Sequence, residues 1–324
     1  MRLGFSGILL CCGLFGIASA SRAAPLPFPV AATSYLVQVN DQTRWDSEVT
    51  RRLSPASLTK LMTVLLLLEH YEPQHIVTVS AAAARETGTR LGLRAGERLH
   101  VQDLLAASLL NSANDACYAL ADHIAGNQQQ FVHLMNQRAK EWGLRDTHFT
   151  NACGHDDPEH YSSARDITVL AHKVMNYPVL LELVAMRNLS IASVDGSRQF
   201  KLTNRNALIG RYDGAVGMKS GFTPKAGKCL VALARHDGVS VLLVGCLRYS
   251  RFCILSSEPW LTARGSSCWF YWGSLLRRIA TRCIRRFNST ITTSSFLRTV
   301  CTVGLHGLGI WVTVCARCSN SLTP

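Results

Sequence analysis

A serine and a lysine stand three residues apart in LSPASLTKLMT, at Ser57 and Lys60. Two later segments hold the residue types such a pair needs: Ser112-Ala113-Asn114 in LLNSANDA and Lys219-Ser220-Gly221 in VGMKSGFT. A serine hydroxyl is a weak nucleophile until an adjacent base takes its proton. Lysine is normally protonated, with a pKa of ~10.4, and becomes that base only where burial and nearby positive charge favour the neutral amine. At i and i+3 of a helix, Ser57 and Lys60 lie one turn apart on one face, within hydrogen-bond reach. Lys219 and the positive end of the same helix would supply the charge. The chemistry this set could perform is acyl transfer through a serine ester.

The other residues take roles around that pair. A Ser112 hydroxyl at a bend between helices is able to relay a proton between Lys60 and a leaving amine. Asn114 offers a donor and an acceptor for a substrate amide. The competing reading makes Ser112 and Asn114 helix caps, since both types favour that position and Asp115 follows. Phe222, next to Gly221 on an expected strand, offers a backbone N–H that joins the N–H of Ser57 in an oxyanion hole. Gly221 lets substrate approach the backbone. Lys219 and the Ser220 hydroxyl are then placed for a substrate carboxylate. Alone, a serine and lysine at this spacing mark many ordinary helix starts; the weight lies in the three segments together.

The elements that must hold these residues are partly visible. SYLVQVN (34–40) alternates as a strand. Ser54 reads as a helix N-cap, with Pro55 at the first helical position and an apolar run to Glu69. Helices are predicted at 101–110, 114–125, 128–142 and 164–176, with Gly126 and Gly143 as stops. KCLVALARH and VSVLLVG flank Asp237-Gly238, which predicts a tight hairpin just after the Lys219 segment. Strands at both ends with helices between give an α+β fold. QQQFVHLMNQRAKEWG carries an ordinary apolar stripe for packing. His155, Asp156, Asp157, Glu159 and His160 have metal-ligand types, but their spacing fits no standard site and a solvated loop is expected, so no metal or other cofactor is assigned.

Residues 1–20 read as a secretory leader: Arg2, an uncharged run, then Ala18-Ser19-Ala20 as a cleavage pattern. A retained anchor is the alternative. Export to the periplasm or the outer face of the cytoplasmic membrane follows. The net charge is +13, yet residues 247–324 carry +9 and Arg2 another +1, leaving +3 for residues 21–246. That balance gives no basic patch, so no nucleic-acid partner is assigned. Of twelve Cys, four fall in the body, at 117, 153, 229 and 246. Two disulfides are conceivable in an oxidising compartment, with no pairing indicated. Cys117 and Cys229 lie in apolar text and suit small buried positions.

Across residues 33–245 the chain resembles the low-molecular-mass penicillin-binding proteins, the serine D-alanyl-D-alanine carboxypeptidases. The likeness rests on SPASLTKLMT, LLNSANDA, HYSSARDITVLA and TNRNALIGRYDGAVGMKSGFT. It implies a β-lactamase/DD-peptidase-like fold: an antiparallel sheet flanked by helices, with a helical subdomain. It implies Ser57 as acylated nucleophile, Lys60 as base, Ser112 as proton relay, and Asn114, Lys219, Ser220, Gly221 and Phe222 as the substrate site. Arg205 matches a position near the carboxylate pocket, with a plain surface arginine as the rival reading. The implied partners are peptidoglycan stem peptides and β-lactams that acylate Ser57, and the implied reaction is removal of a terminal D-Ala. A β-lactamase, an endopeptidase, a penicillin sensor or a non-catalytic remnant are the alternatives. Ser220 stands where the family usually has Thr, which keeps the hydroxyl.

After Cys246 the text changes. The family continues with a long helix covering one sheet face, and that text is not found here, so the face is expected to lose its cover. Residues 247–324 instead hold ten Arg, no Lys, no Asp and only Glu258 as an acid. Residues 268–287 would suit a basic amphipathic helix touching the inner membrane, whereas 299–316 are uncharged but rich in Gly and Thr. A frameshift near 246 accounts for this composition; a genuine anchor or a divergent domain are the alternatives. Translating the other frames of the gene downstream of codon 246 should yield a family-like helix, and the absence of one in both frames would sink the idea.

Overall fold

The computed structural model describes residues 32–69 and 72–247, together with two short strands further on. The leader at 1–20 and the basic segment 268–287 lie outside the described residues. In chain order the body begins with β1 (Ser34–Val39) and β2 (Gln42–Ser47), joined at Asn40-Asp41 with φ of 48° and 63°, the left-handed pair a tight hairpin needs. A 3₁₀ turn at Ala56–Thr59 leads into α1 (Lys60–Leu68). Then come β3 (Ile76–Thr78), α2 (Ala81–Ala84), β4 (Arg98–His100), α3 (Val101–Leu109), α4 (Asn114–Ala125) and α5 (Gln128–Glu141). After them follow α6 (Ala164–Met175), α7 (Pro178–Ala185), β5 (Asn188–Ala192) and β6 (Gln199–Thr203). The body closes with β7 (Ala215–Thr223), β8 (Gly227–His236) and β9 (Val239–Leu247). In the expected uncharged stretch, β10 (Thr302–Gly304) pairs with β11 (Trp311–Thr313).

Five strands form one antiparallel sheet in the order β2-β1-β9-β8-β7. Its period-two alternation separates two apolar surfaces. Leu36, Val231, Leu233, Leu242 and Val244 join the main core, which also holds Leu58, Leu61 and Leu65 and, from α6, Ile167 and Leu170. Tyr35, Val37, Val39, Leu230, Ala232, Val241 and Leu243 form a second cluster with Leu208. These side chains on the second surface are buried.

The four longer helices fall within a residue of the ranges the periodicity predicts. Gly126 and Gly143 end α4 and α5 with φ of 79° and 69°, values an L side chain adopts only under strain. The start of α1 differs from expectation. Ser54 caps nothing there; its hydroxyl donates to Asp156 Oδ1 at 3.0 Å, and Pro55 precedes the 3₁₀ turn. All four body cysteines are free thiols, with Cys117, Cys153 and Cys229 buried.

Neither Ser112 nor Asn114 caps α4, whose N-cap is Ala113 with no side-chain bond. Instead the buried Asp115 carboxylate accepts the N–H groups of Leu91, Gly92 and Leu93, the last two at 2.8 and 3.0 Å. That acceptor pins the loop between α2 and β4 against α4. Asp115→Ala should cost about 3 kcal/mol by stranding these amides, read as a lower urea midpoint; an unchanged midpoint would show the loop to be held by other contacts.

Candidate active site

The apolar run of α1 is buried along almost its whole length, and Lys60 at its first position is 0% exposed. A lysine so placed must find acceptors. Its Nζ lies 2.7 Å from the Cys153 carbonyl oxygen, 2.8 Å from Asn114 Oδ1 and 3.1 Å from Ser57 Oγ. Two carbonyl-type oxygens take two N–H bonds and leave the third tetrahedral position facing Ser57. In the neutral amine that position is a lone pair aimed at the hydroxyl proton; in the ammonium it is a proton ready for a leaving group.

Ser57 itself is partly open and sits in the 3₁₀ turn, preceded by Ala56 with φ of 49°. Two glycines let the surrounding backbone close on this turn. A Cβ on Gly221 would lie 2.9 Å from the Ser57 nitrogen, and one on Gly154 would lie 1.9 Å from the Ala56 carbonyl oxygen. β7 thus runs along the turn as the outer strand of the sheet, with Ser220 buried and Phe222 56% exposed.

Ser112 has φ of 59° at the break between α3 and α4, and its Oγ accepts from Lys219 Nζ at 3.0 Å. Lys219 also donates to the Ser220 carbonyl at 2.8 Å. It is fully buried, and burial first, then the charges of Lys60 and Arg205, hold its ammonium well below the usual lysine range. Arg205 is exposed, within electrostatic reach of Lys219, and its backbone N–H donates to Leu110. Asn114 is less free than the residue pattern implies. Its oxygen serves Lys60, and one N–H goes to the Thr87 carbonyl at 2.7 Å. Lys60 thus joins Ser57 to Asn114, Gly221 packs on the Ser57 turn, and Lys219 joins Ser112 to β7.

Several contributors carried no readable signal in the sequence. The Cys153 and Thr87 acceptors are backbone oxygens, indifferent to residue type. Residues 155–160, expected as a solvated loop, instead brace the site together with Asn151. Asn151 Oδ1 accepts the N–H groups of Gly154 and His155, turning the Cys153 carbonyl inward. Asp156 gathers Ser54, Thr223 Oγ1 and the N–H of Lys225, tying the start of the nucleophile turn to the end of β7. His160 accepts the Thr150 N–H at Nδ1 and, through Nε2–H, donates to Thr59 Oγ1, which donates to the Ala56 carbonyl. Among the described residues no group of three His, Cys, Asp or Glu is placed to hold a metal.

A family profile for D-alanyl-D-alanine carboxypeptidase matches residues 23–246. The chain belongs to that family. It is 35% identical over 198 residues to D-alanyl-D-alanine carboxypeptidase DacF of Bacillus subtilis, covering 60% of this chain and 51% of that protein. It is 37% identical over 196 residues to DacD of Escherichia coli, covering 56% and 48%. The chain thus spans about half the length of these relatives. Among solved structures, the carboxypeptidase DacD of Francisella tularensis superposes with a TM-score of 0.65 at 27% identity, covering 74% of this chain and 72% of that one. The DD-transpeptidase of Streptomyces K15 gives 0.64 at 28% identity, covering 68% and 92%. The fold is that of the DD-peptidases and β-lactamases: an antiparallel sheet with flanking helices and a helical subdomain.

The His160 network sets a pH response. Burial, ahead of the neighbouring charges, lowers its pKa from 6.5 to about 4. A base whose folded pKa is depressed takes up its proton in the unfolded chain first, so stability falls as pH drops from 6.5 towards 4 and the loss levels off below that. The shift corresponds to about 3 kcal/mol. Thermal unfolding of wild type should show this acid-side loss, and His160→Gln should flatten it; an equally steep decline in the variant would assign the acid sensitivity elsewhere.

Proposed function

We propose that the chain is an exported serine D-Ala-D-Ala carboxypeptidase, its catalytic unit at residues 21–246, which removes the terminal D-Ala of peptidoglycan stem peptides and is acylated by penicillins. One observation carries the reading: Lys60 Nζ is held by the Cys153 carbonyl and Asn114 Oδ1 with its remaining position 3.1 Å from Ser57 Oγ. That is a base fixed in place against a nucleophile.

In this reading the peptide lies along β7, and its C-terminal carboxylate meets the Ser220 hydroxyl, the Lys219 amine and the charge of Arg205. Lys60 as neutral amine takes the Ser57 proton while Oγ attacks the carbonyl carbon of the penultimate D-Ala. The oxyanion that forms is met by the N–H groups of Ser57 and Phe222. As the tetrahedral intermediate collapses, the proton passes from Lys60 to the departing nitrogen, by way of Ser112 Oγ. The Lys219 donation to the Ser112 oxygen supports this relay, since it leaves the hydroxyl proton free for the leaving group. Terminal D-Ala departs, and Lys60 then takes a proton from the water that attacks the Ser57 ester. With a β-lactam the leaving nitrogen stays tethered, so the acyl-enzyme persists.

Export is supported by the leader pattern at residues 1–20 and by a substrate that lies outside the cytoplasmic membrane. Residues 247–324, atypical in composition, are assigned no catalytic part, and any contact they make with the inner membrane is peripheral.

Ser57→Ala should abolish labelling by a fluorescent penicillin and D-Ala release from a stem pentapeptide. Asn114→Ala should slow acylation roughly 10²-fold, as loss of a group acting on proton transfer does, while leaving unfolding cooperative. Penicillin label retained on the Ser57→Ala protein, or mapped by mass to another residue, would refute the assignment.

A further inference from the structure

The four thiols of the body fall into two pairs that the sequence did not indicate. Cys117 lies one turn into α4 from Asn114, and its thiol reaches the Ala152 carbonyl at 3.3 Å, the residue just before Cys153. Cys153 returns the approach: its thiol reaches the Asn114 carbonyl at 3.5 Å. Both are fully interior, and each thiol bonds to the backbone beside the other. The second pair arises from register. Cys229 on β8 stands directly opposite Cys246 on β9. Counting from the tight-turn pair His236↔Val239, narrow and wide positions alternate along the ladder, and Cys229↔Cys246 falls on a position without mutual backbone bonds. Opposed side chains are closest there, and the Cα separation of such pairs lies in the range a disulfide spans.

We propose that Cys117–Cys153 and Cys229–Cys246 close as disulfides when the chain folds against an oxidant. The first is the consequential one. It would link α4, which presents Asn114 Oδ1, to the loop that presents the Cys153 carbonyl, the two acceptors that grip Lys60 Nζ. The bond would make that grip a covalent frame. The second would lock the centre of the sheet. The interior position of Cys117, Cys153 and Cys229 places closure during folding, before the core excludes reagents. The chemistry is two thiol–disulfide exchanges per pair. One cysteine thiolate attacks a disulfide oxidant such as oxidised glutathione, forming a mixed disulfide and expelling one glutathione thiolate. The partner thiolate then attacks the protein sulfur, the second glutathione leaves, and the two thiol protons end on the two glutathiones.

The proposal rests on the export reading for its oxidant, since disulfides persist in oxidising compartments. The full-length protein, refolded with oxidised glutathione, should give on non-reducing digestion and mass mapping two linked peptide pairs, 117 with 153 and 229 with 246. Against protein refolded with dithiothreitol, its melting temperature should stand roughly 5–10 °C higher. In Cys117→Ala/Cys153→Ala that difference should shrink while the 229–246 link remains. Four alkylated thiols, or a crossed pairing, in protein that still takes penicillin at Ser57 would overturn the proposal and leave the site reading intact. Both links found in protein that fails to label would uphold the proposal and remove the site reading.

Discussion

A lysine amine with no exposed surface has to be gripped on every side, and the fold around this site is arranged to do so. Lys60 has three acceptors in reach, one from the nucleophile and two from segments distant in sequence. Removing an acceptor would leave a buried donor unmatched, a penalty of about 1–3 kcal/mol and more for a charged group. The same contacts that satisfy the amine also aim it. Stability of the interior and the orientation of the amine towards Ser57 therefore share one set of bonds, and neither can be relaxed without the other.

That dependence explains the layers around the site. The Cys153 carbonyl is turned inward by Asn151, and the loop carrying it is anchored to β7 through Asp156 and to the nucleophile turn through His160 and Thr59. Asn114 is held from its other side by Thr87, in a loop that Asp115 secures by three amides. Lys219 adds a second buried amine, whose ammonium is disfavoured by burial and by Lys60 and Arg205. Two interior lysines near one another are a standing cost to the folded state, the kind of local conflict a functional site retains.

What could be read in advance followed from how each residue acts. Ser57 and Lys60 are one helical turn apart, so local geometry alone brought them together. The long helices carried apolar periodicity and glycine stops, and Asp237-Gly238 carried its own turn chemistry. A capping serine and a serine bonded to a remote carboxylate look the same in sequence, and Ser54 is of the second kind; its Asp156 acceptor lies 102 residues away. β3 and β4 have three residues each, too few to display a period. The acceptors from Cys153 and Thr87 were invisible in principle, since any residue supplies a carbonyl. The cysteine pairs were equally hidden, because pairing depends on strand register and loop path.

The sheet also accounts for where family likeness can stop without touching the chemistry. β1 reaches β8 only through β9, and the ladder between β1 and β9 runs from Val39↔Val241 to Ser34↔Cys246. The chain must therefore keep its family character through Cys246 for the five strands to be joined, and the family match ends at that residue. The candidate site lies further back, between the 3₁₀ turn and β7, braced by α4 and the loops at 85–93 and 151–160. Its internal distances are fixed by contacts among residues 54–223. Among the described residues, β8 and β9 bear on this site through the sheet that carries β7.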